Sequence, residues 1–116
     1  MDLLGAIREG DRGALGGMLA DDVVFNSPAT VYRGRDQVVD LLVLIGKVLD
    51  DGLTATGQVE TVAFVKGHLD GEELNGVLVE ITDDGGRITE ITLLLRPLAT
   101  LQTAVLRLAR ALAEGA

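Results

Sequence analysis

Apolar residues recur at helical intervals at both ends and in the middle of the chain, and at strand intervals between. Leu3, Leu4, Ile7, Leu15, Met18 and Leu19 keep helical spacing, broken by Gly10-Asp11. This predicts two short helices, with Asp11 capping the second. Val23-Val24-Phe25 and Val31-Tyr32-Arg33 are β-branched and aromatic runs closed by Ser27-Pro28 and by Gly34, and they predict short strands. From Asp36 to Asp50, Val38, Leu42, Ile45 and Leu49 form one stripe and Leu41, Leu44 and Val48 its neighbour. Two adjoining stripes predict a helix buried on most sides. Leu53–Glu60, Thr61–Leu69, Glu72–Thr82 and Arg87–Arg96 then predict a meander turning at Asp70-Gly71 and at Asp83–Gly86. Pro97 opens a last helix with a stripe of Leu98, Leu101, Val105, Leu108 and Leu112, opposite Gln102, Thr103, Arg107 and Arg110.

The turns let the sheet faces be written down. A two-residue turn at Asp70-Gly71 sets Leu69 against Glu72, His68 against Glu73, Lys66 against Asn75, Phe64 against Val77 and Val62 against Val79. A four-residue turn at Asp83–Gly86 sets Ile81 against Ile88, Val79 against Glu90 and Val77 against Thr92. One face then carries Ala63, Val65, Leu69, Leu74, Leu78, Ile91, Leu93 and Leu95. The other mixes Val62, Phe64, Val77, Val79 and Leu94 with Lys66, His68, Glu73, Asn75, Glu90, Thr92 and Arg96. The aliphatic face is expected to take the helices. The half-apolar outer face is expected to pair with a second copy, giving a homodimer.

Composition narrows the chemistry. A chain of 116 residues without repeat or linker reads as one domain, 1–116. Ten basic against eighteen acidic residues, net −8, argue against nucleic acid and anionic membrane surfaces as partners. There is no cysteine and one histidine, so no metal and no cofactor site is expected. The hydrophobic fraction is 47% but aromatics are only 3%, and the mean hydropathy is +0.34. Such an aliphatic excess points to a second buried surface or to a cavity lined by aliphatic side chains. No apolar run approaches the ~18 residues of a membrane span. The opening MDLLGAIREG carries an acid where a signal peptide would carry a base, so a cytoplasmic location is expected.

The stretches GDRGALGGMLADDVVFNSP, VYRGRDQVVDLL and DDGGRITEITLLLRPL, in that order, resemble the SnoaL-like branch of the nuclear transport factor 2-like superfamily. The resemblance implies an α+β roll, a curved, mostly antiparallel sheet wrapped around helices as a cone, often with a pocket between sheet and helices. It implies isomerases, polyketide cyclases, dehydratases, epoxide hydrolases and proteins without an assigned reaction as relatives, and dimers as common. Fold alone therefore names no reaction. Relatives often carry an acid on the central strand in a GVD context; here the run is Asn75-Gly76-Val77-Leu78, with Leu78 in the acid's place. The frequent FHSP reads Phe25-Asn26-Ser27-Pro28, and Asn26 exchanges no proton near neutral pH.

The remaining candidates are few. Asp22, His68 and Glu80 are the titratable ones; His68 also suits a rim ion pair with Glu73, Asp22 a turn cap, and Glu80 a position reaching water. Asn26 and Tyr32 could meet a ligand, with Val65, Leu78 and Leu93 as pocket wall. Arg96 before Pro97 suits a structural role, donating to carbonyls. Asp83-Asp84-Gly85 reads as turn chemistry rather than a calcium loop. Three functions follow: a binder of a small apolar molecule without catalytic machinery, an isomerase, cyclase or dehydratase using Asp22, Tyr32, His68 or Glu80, or a dimeric interaction module whose cavity its own side chains fill.

Overall fold

The computed structural model describes residues 1–115, so Ala116, the last residue of the expected domain, lies outside the described residues. The helices are α1 (Leu3–Glu9), α2 (Arg12–Met18), α3 (Arg35–Val48) and α4 (Leu98–Ala113). The strands are β1 (Leu19–Asn26), β2 (Val31–Arg33), β3 (Asp50–Val59), β4 (Val62–Leu69), β5 (Glu72–Thr82) and β6 (Ile88–Arg96). They form one six-stranded sheet in the order β2-β1-β6-β5-β4-β3. Only β1 and β6 run parallel; every other neighbour pair is antiparallel. The architecture is the expected α+β one, a curved sheet with helices on its concave side. No helix among the described residues is long and apolar enough to cross a membrane.

Local chemistry sets the elements. Asp2 and Asp11 cap α1 and α2, their side chains accepting from Gly5 N–H at 2.8 Å and Ala14 N–H at 3.0 Å. Asp70 and Gly71 both take positive φ, 54° and 82°, as a two-residue hairpin turn requires. The β4–β5 register accordingly runs as expected, from Leu69 opposite Glu72 to Val62 opposite Val79. The β5–β6 register does not. Asp83 and Arg87 close the turn and the strands bulge between Ile81 and Thr82, so Ile81 meets Glu90, Val79 meets Thr92 and Val77 meets Leu94. The displacement is two residues. An even shift keeps every side chain on its face, so the expected faces survive the wrong pairing.

The core is the inner face of the meander pressed on α3 and α1. Leu53, Leu74 and Ile91 are fully buried, Val65 is 1% exposed, and Leu69, Leu78 and Leu93 are each 2% exposed. From α3, Val38, Leu41, Leu42 and Ile45 meet them, and Ala6 and Ile7 from α1 close the cluster. Two glycines permit this packing. A Cβ on Gly46 would stand 2.2 Å from the Ile7 carbonyl oxygen, so its absence lets α3 lie against α1. A Cβ on Gly76 would stand 1.8 Å from the Leu94 carbonyl oxygen, so β5 can bend over β6 only without one.

These contacts make a paired test. Gly76→Ala should lower the unfolding free energy by at least about 2 kcal/mol, because backbone cannot yield as a side chain can. Gly17→Ala, on α2 with open space around the position, should raise it by up to about 1 kcal/mol. Urea unfolding followed by circular dichroism measures both, and a neutral Gly76→Ala would refute the close approach.

Candidate functional site

A cavity of about 280 Å³ lies between α3, α4, β6 and the β1–β2 turn. Its size is at the small end of ligand sites, which run from ~300 to 1,000 Å³. Helical periodicity builds two walls: Leu41, Ile45 and Val48 from α3, and Leu101, Ala104, Val105 and Leu108 from α4. Leu93 and Leu95 on β6 form the floor. Side-chain hydrogen-bonding groups reach it only from the β1–β2 hairpin, through Ser27, Thr30 and Tyr32. The Ser27 hydroxyl donates to the Thr30 carbonyl at 2.7 Å and accepts from the N–H groups of Thr30 and Ala29 at 3.0 and 3.3 Å. It is therefore spent on closing its own turn. Tyr32 packs its ring 6.4 Å from that of Phe25 and carries the one ionisable group of the wall. No carboxylate, imidazole, amine or guanidinium is among the lining residues.

The α4 wall is thinly attached. Ala104 is its one buried residue among those described. Arg107 ties the helix to the β4–β5 turn through both carboxylate oxygens of Asp70, with Nη1 to Oδ1 at 3.1 Å. The guanidinium's hydrogen bonds hold the Asp70 carboxyl below its ordinary range, and the pair is exposed.

A second cavity, about 390 Å³, opens between α1, the end of α2 and strands β3 to β6. The two share no lining residue. Leu78 faces the second and its cross-strand partner Leu93 the first, so this pair stands between them.

The expected site residues thus scatter. Tyr32 and Leu93 line the first cavity, Leu78 and Glu80 the second, and Val65 is buried in the core and reaches neither. Asn26 does not point into an apolar space: Phe25 takes the inward position on β1, and Asn26 turns outward, its Nδ2 donating to Thr92 Oγ1 at 3.1 Å. Asp22 is exposed within β1, one residue before the inward Val23, and caps no turn. His68 is exposed on the outer face beside Asp50 and Asp51. Its expected ion pair is not formed, because Glu73 accepts from Asn75 Nδ2 at 3.1 Å instead. Arg96 donates to the Asn75 side-chain oxygen at 3.3 Å rather than to carbonyls. Asp83 accepts from the N–H groups of Gly85 and Arg87 at 2.9 and 3.0 Å, which is turn chemistry. Asp22, His68 and Glu80 do not converge, so they form no acid–base pair. The α3 and α4 walls were missed as a site, although their stripes are plain in the sequence, since a stripe reads first as core.

Among the described residues, Glu80 is the one carboxyl with an inward environment. Burial pushes its pKa up from the ordinary 4.5, and the charge of Asp2 adds to the rise.

No family model matches the chain, and no curated protein matches it in sequence. Solved structures do. A steroid delta-isomerase from Pseudomonas aeruginosa is 28% identical with a TM-score of 0.85, over 95% of this chain and 85% of that one. An uncharacterized protein with a cystatin-like fold from Silicibacter pomeroyi is 21% identical with a TM-score of 0.82, over 94% and 81%. A nuclear transport factor 2-like protein of unknown function from Cytophaga hutchinsonii is 12% identical with a TM-score of 0.68, over 85% and 88%.

A raised carboxyl pKa has a definite sign for stability. The folded chain holds the Glu80 proton more tightly than the unfolded chain, so this group's contribution falls as pH rises from 4.5 through the folded value. Glu80→Gln should remove that fall and raise the melting temperature at pH 7 relative to pH 4. Thermal unfolding at a series of pH values checks it; identical pH profiles for the two proteins would contradict the environment described.

Proposed function

We propose that this chain, whose motifs resemble the SnoaL-like branch of the nuclear transport factor 2-like superfamily and whose fold is shared with solved structures of that kind, binds a small, largely hydrocarbon molecule in the 280 Å³ cavity without turning it over. The lining carries the reading: aliphatic walls, one tyrosine, and no carboxylate, imidazole or amine. The ligand class is a compact aliphatic or alicyclic molecule with one hydroxyl or carbonyl. Hydrocarbon fills the space between α3 and α4, and the Tyr32 hydroxyl meets the polar atom. The likeness to the Pseudomonas aeruginosa steroid delta-isomerase favours a second reading, isomerisation. A steroid-isomerisation assay separates the two, since turnover would replace the binding reading.

The working unit in this proposal is a homodimer joined through the outer sheet face, in a cytoplasmic setting. Phe64, Val77 and Leu94 lie side by side across β4, β5 and β6, with Phe64 47% and Leu94 57% exposed. Lys66 and Arg96 flank this row on one side and Glu90 lies beyond it on the other. A twofold axis through the row sets the basic end of one copy over the acidic end of the other.

Thermal-shift screening with apolar alcohols and ketones should find stabilising ligands. Ala104→Phe, which fills the cavity, should abolish the shift. Tyr32→Phe should weaken polar ligands about five- to tenfold, the worth of one hydrogen bond of about 1 kcal/mol, and leave hydrocarbons unaffected. An unchanged shift in Ala104→Phe would place binding elsewhere. For the dimer, sedimentation should give twice the chain mass for the parent and a folded monomer for Leu94→Lys. A monomeric parent would end the dimer proposal.

A further inference from the structure

The second cavity has a different chemistry from the first. Leu3, Leu4, Met18, Ala63, Leu78 and Ile88 make an apolar floor. Every charged residue on its wall is acidic: Asp2 before α1, Glu60 in the β3–β4 turn, and Glu80 on β5. Glu80 sits on the inner face beside Leu78, and Asp2 and Glu60 lie toward solvent. No group of three or more acidic or imidazole side chains among the described residues could hold a metal ion, so a compact inorganic cation finds no chelate here. Apolar depth with acid at the mouth matches an amphiphilic organic cation instead. An alkyl chain of a few carbons fills the floor and an ammonium head meets the carboxylates.

We propose that this cavity is a second binding site, independent of the first, for small hydrophobic primary amines, with Glu80 as the carboxylate that receives the ammonium group. The cation compensates a carboxylate that burial and Asp2 otherwise leave poorly solvated. The charged groups facing Glu80 are Asp2 from α1 and Glu60 from the β3–β4 turn; the lining contributed by β4 and β6 is uncharged. Arg87, the cation next in sequence to Gly86, is not among the lining residues. Amine affinity should therefore rise with pH as Glu80 ionises through its raised pKa while the ammonium stays charged.

Isothermal titration with n-hexylammonium, 1-hexanol and hexanoate tests this on the intact chain. Hexylammonium should bind best and hexanoate worst at pH 7.5. Glu80→Gln should weaken hexylammonium at least about tenfold, the scale of a hydrogen bond to a charged group, while leaving hexanol unchanged. That variant keeps the side-chain shape, so failure to fold does not confuse the result. Ala104→Phe, which fills only the first cavity, should leave amine binding intact. In Ala104→Phe, where hexanol has lost the first cavity, equal affinity for hexylammonium and hexanol would overturn the proposal, as would no effect of Glu80→Gln on amine binding, or loss of amine binding in Ala104→Phe. Only the last would move the amine to the first cavity; none of the three removes the first cavity as a site for apolar molecules.

Discussion

The whole arrangement follows from one inequality: the inner face of the meander is hydrocarbon everywhere but at Glu80, and the outer face is only half so. Val65, Leu74, Leu78, Ile91 and Leu93 must leave water together, and a single helix, α3, is the surface that covers most of them. A flat sheet would leave its margins uncovered. Bending it over α3 buries more of them; the bend is possible because Gly76 offers no Cβ to the Leu94 carbonyl, and Gly46, with none toward that of Ile7, lets α1 lie against α3. Curvature is therefore a packing consequence with a steric permission.

A curved sheet over one helix covers its centre better than its ends. The two cavities are those ends, and Leu78 with Leu93 is the closed middle. Each end takes its chemistry from what happens to be nearby. At one, α4 adds an aliphatic wall and the β1–β2 turn adds hydroxyls. At the other, helix starts and strand turns add carboxylates, since acids suit helix N-termini and turns. One physical cause thus gives two sites of unlike polarity.

The aliphatic excess is accounted for in the same terms. Part of it fills the core, part lines the two cavities, and part lies open on the outer face as Phe64, Ile81 and Leu94. That last share is larger than scattered surface leucines would give, and its continuity across three strands makes it a surface rather than an accident of composition.

Much was legible without coordinates. Period and turn chemistry determined the four helices, the β4–β5 register through Asp70-Gly71, and which residues share a face, because these depend on neighbours a few positions apart. Even the misjudged β5–β6 turn kept the faces, since the error was an even number of residues. Asn26, Val65 and Glu80 were not legible in their final settings. Whether Asn26 turns out toward Thr92, whether Val65 lies beneath the core or against a cavity, and how deep Glu80 sits all depend on chain brought from far away. The parallel pairing of β1 with β6, the bulges and the placement of α4 decide those points. They are settled by packing volume and backbone clash, which no local spacing encodes.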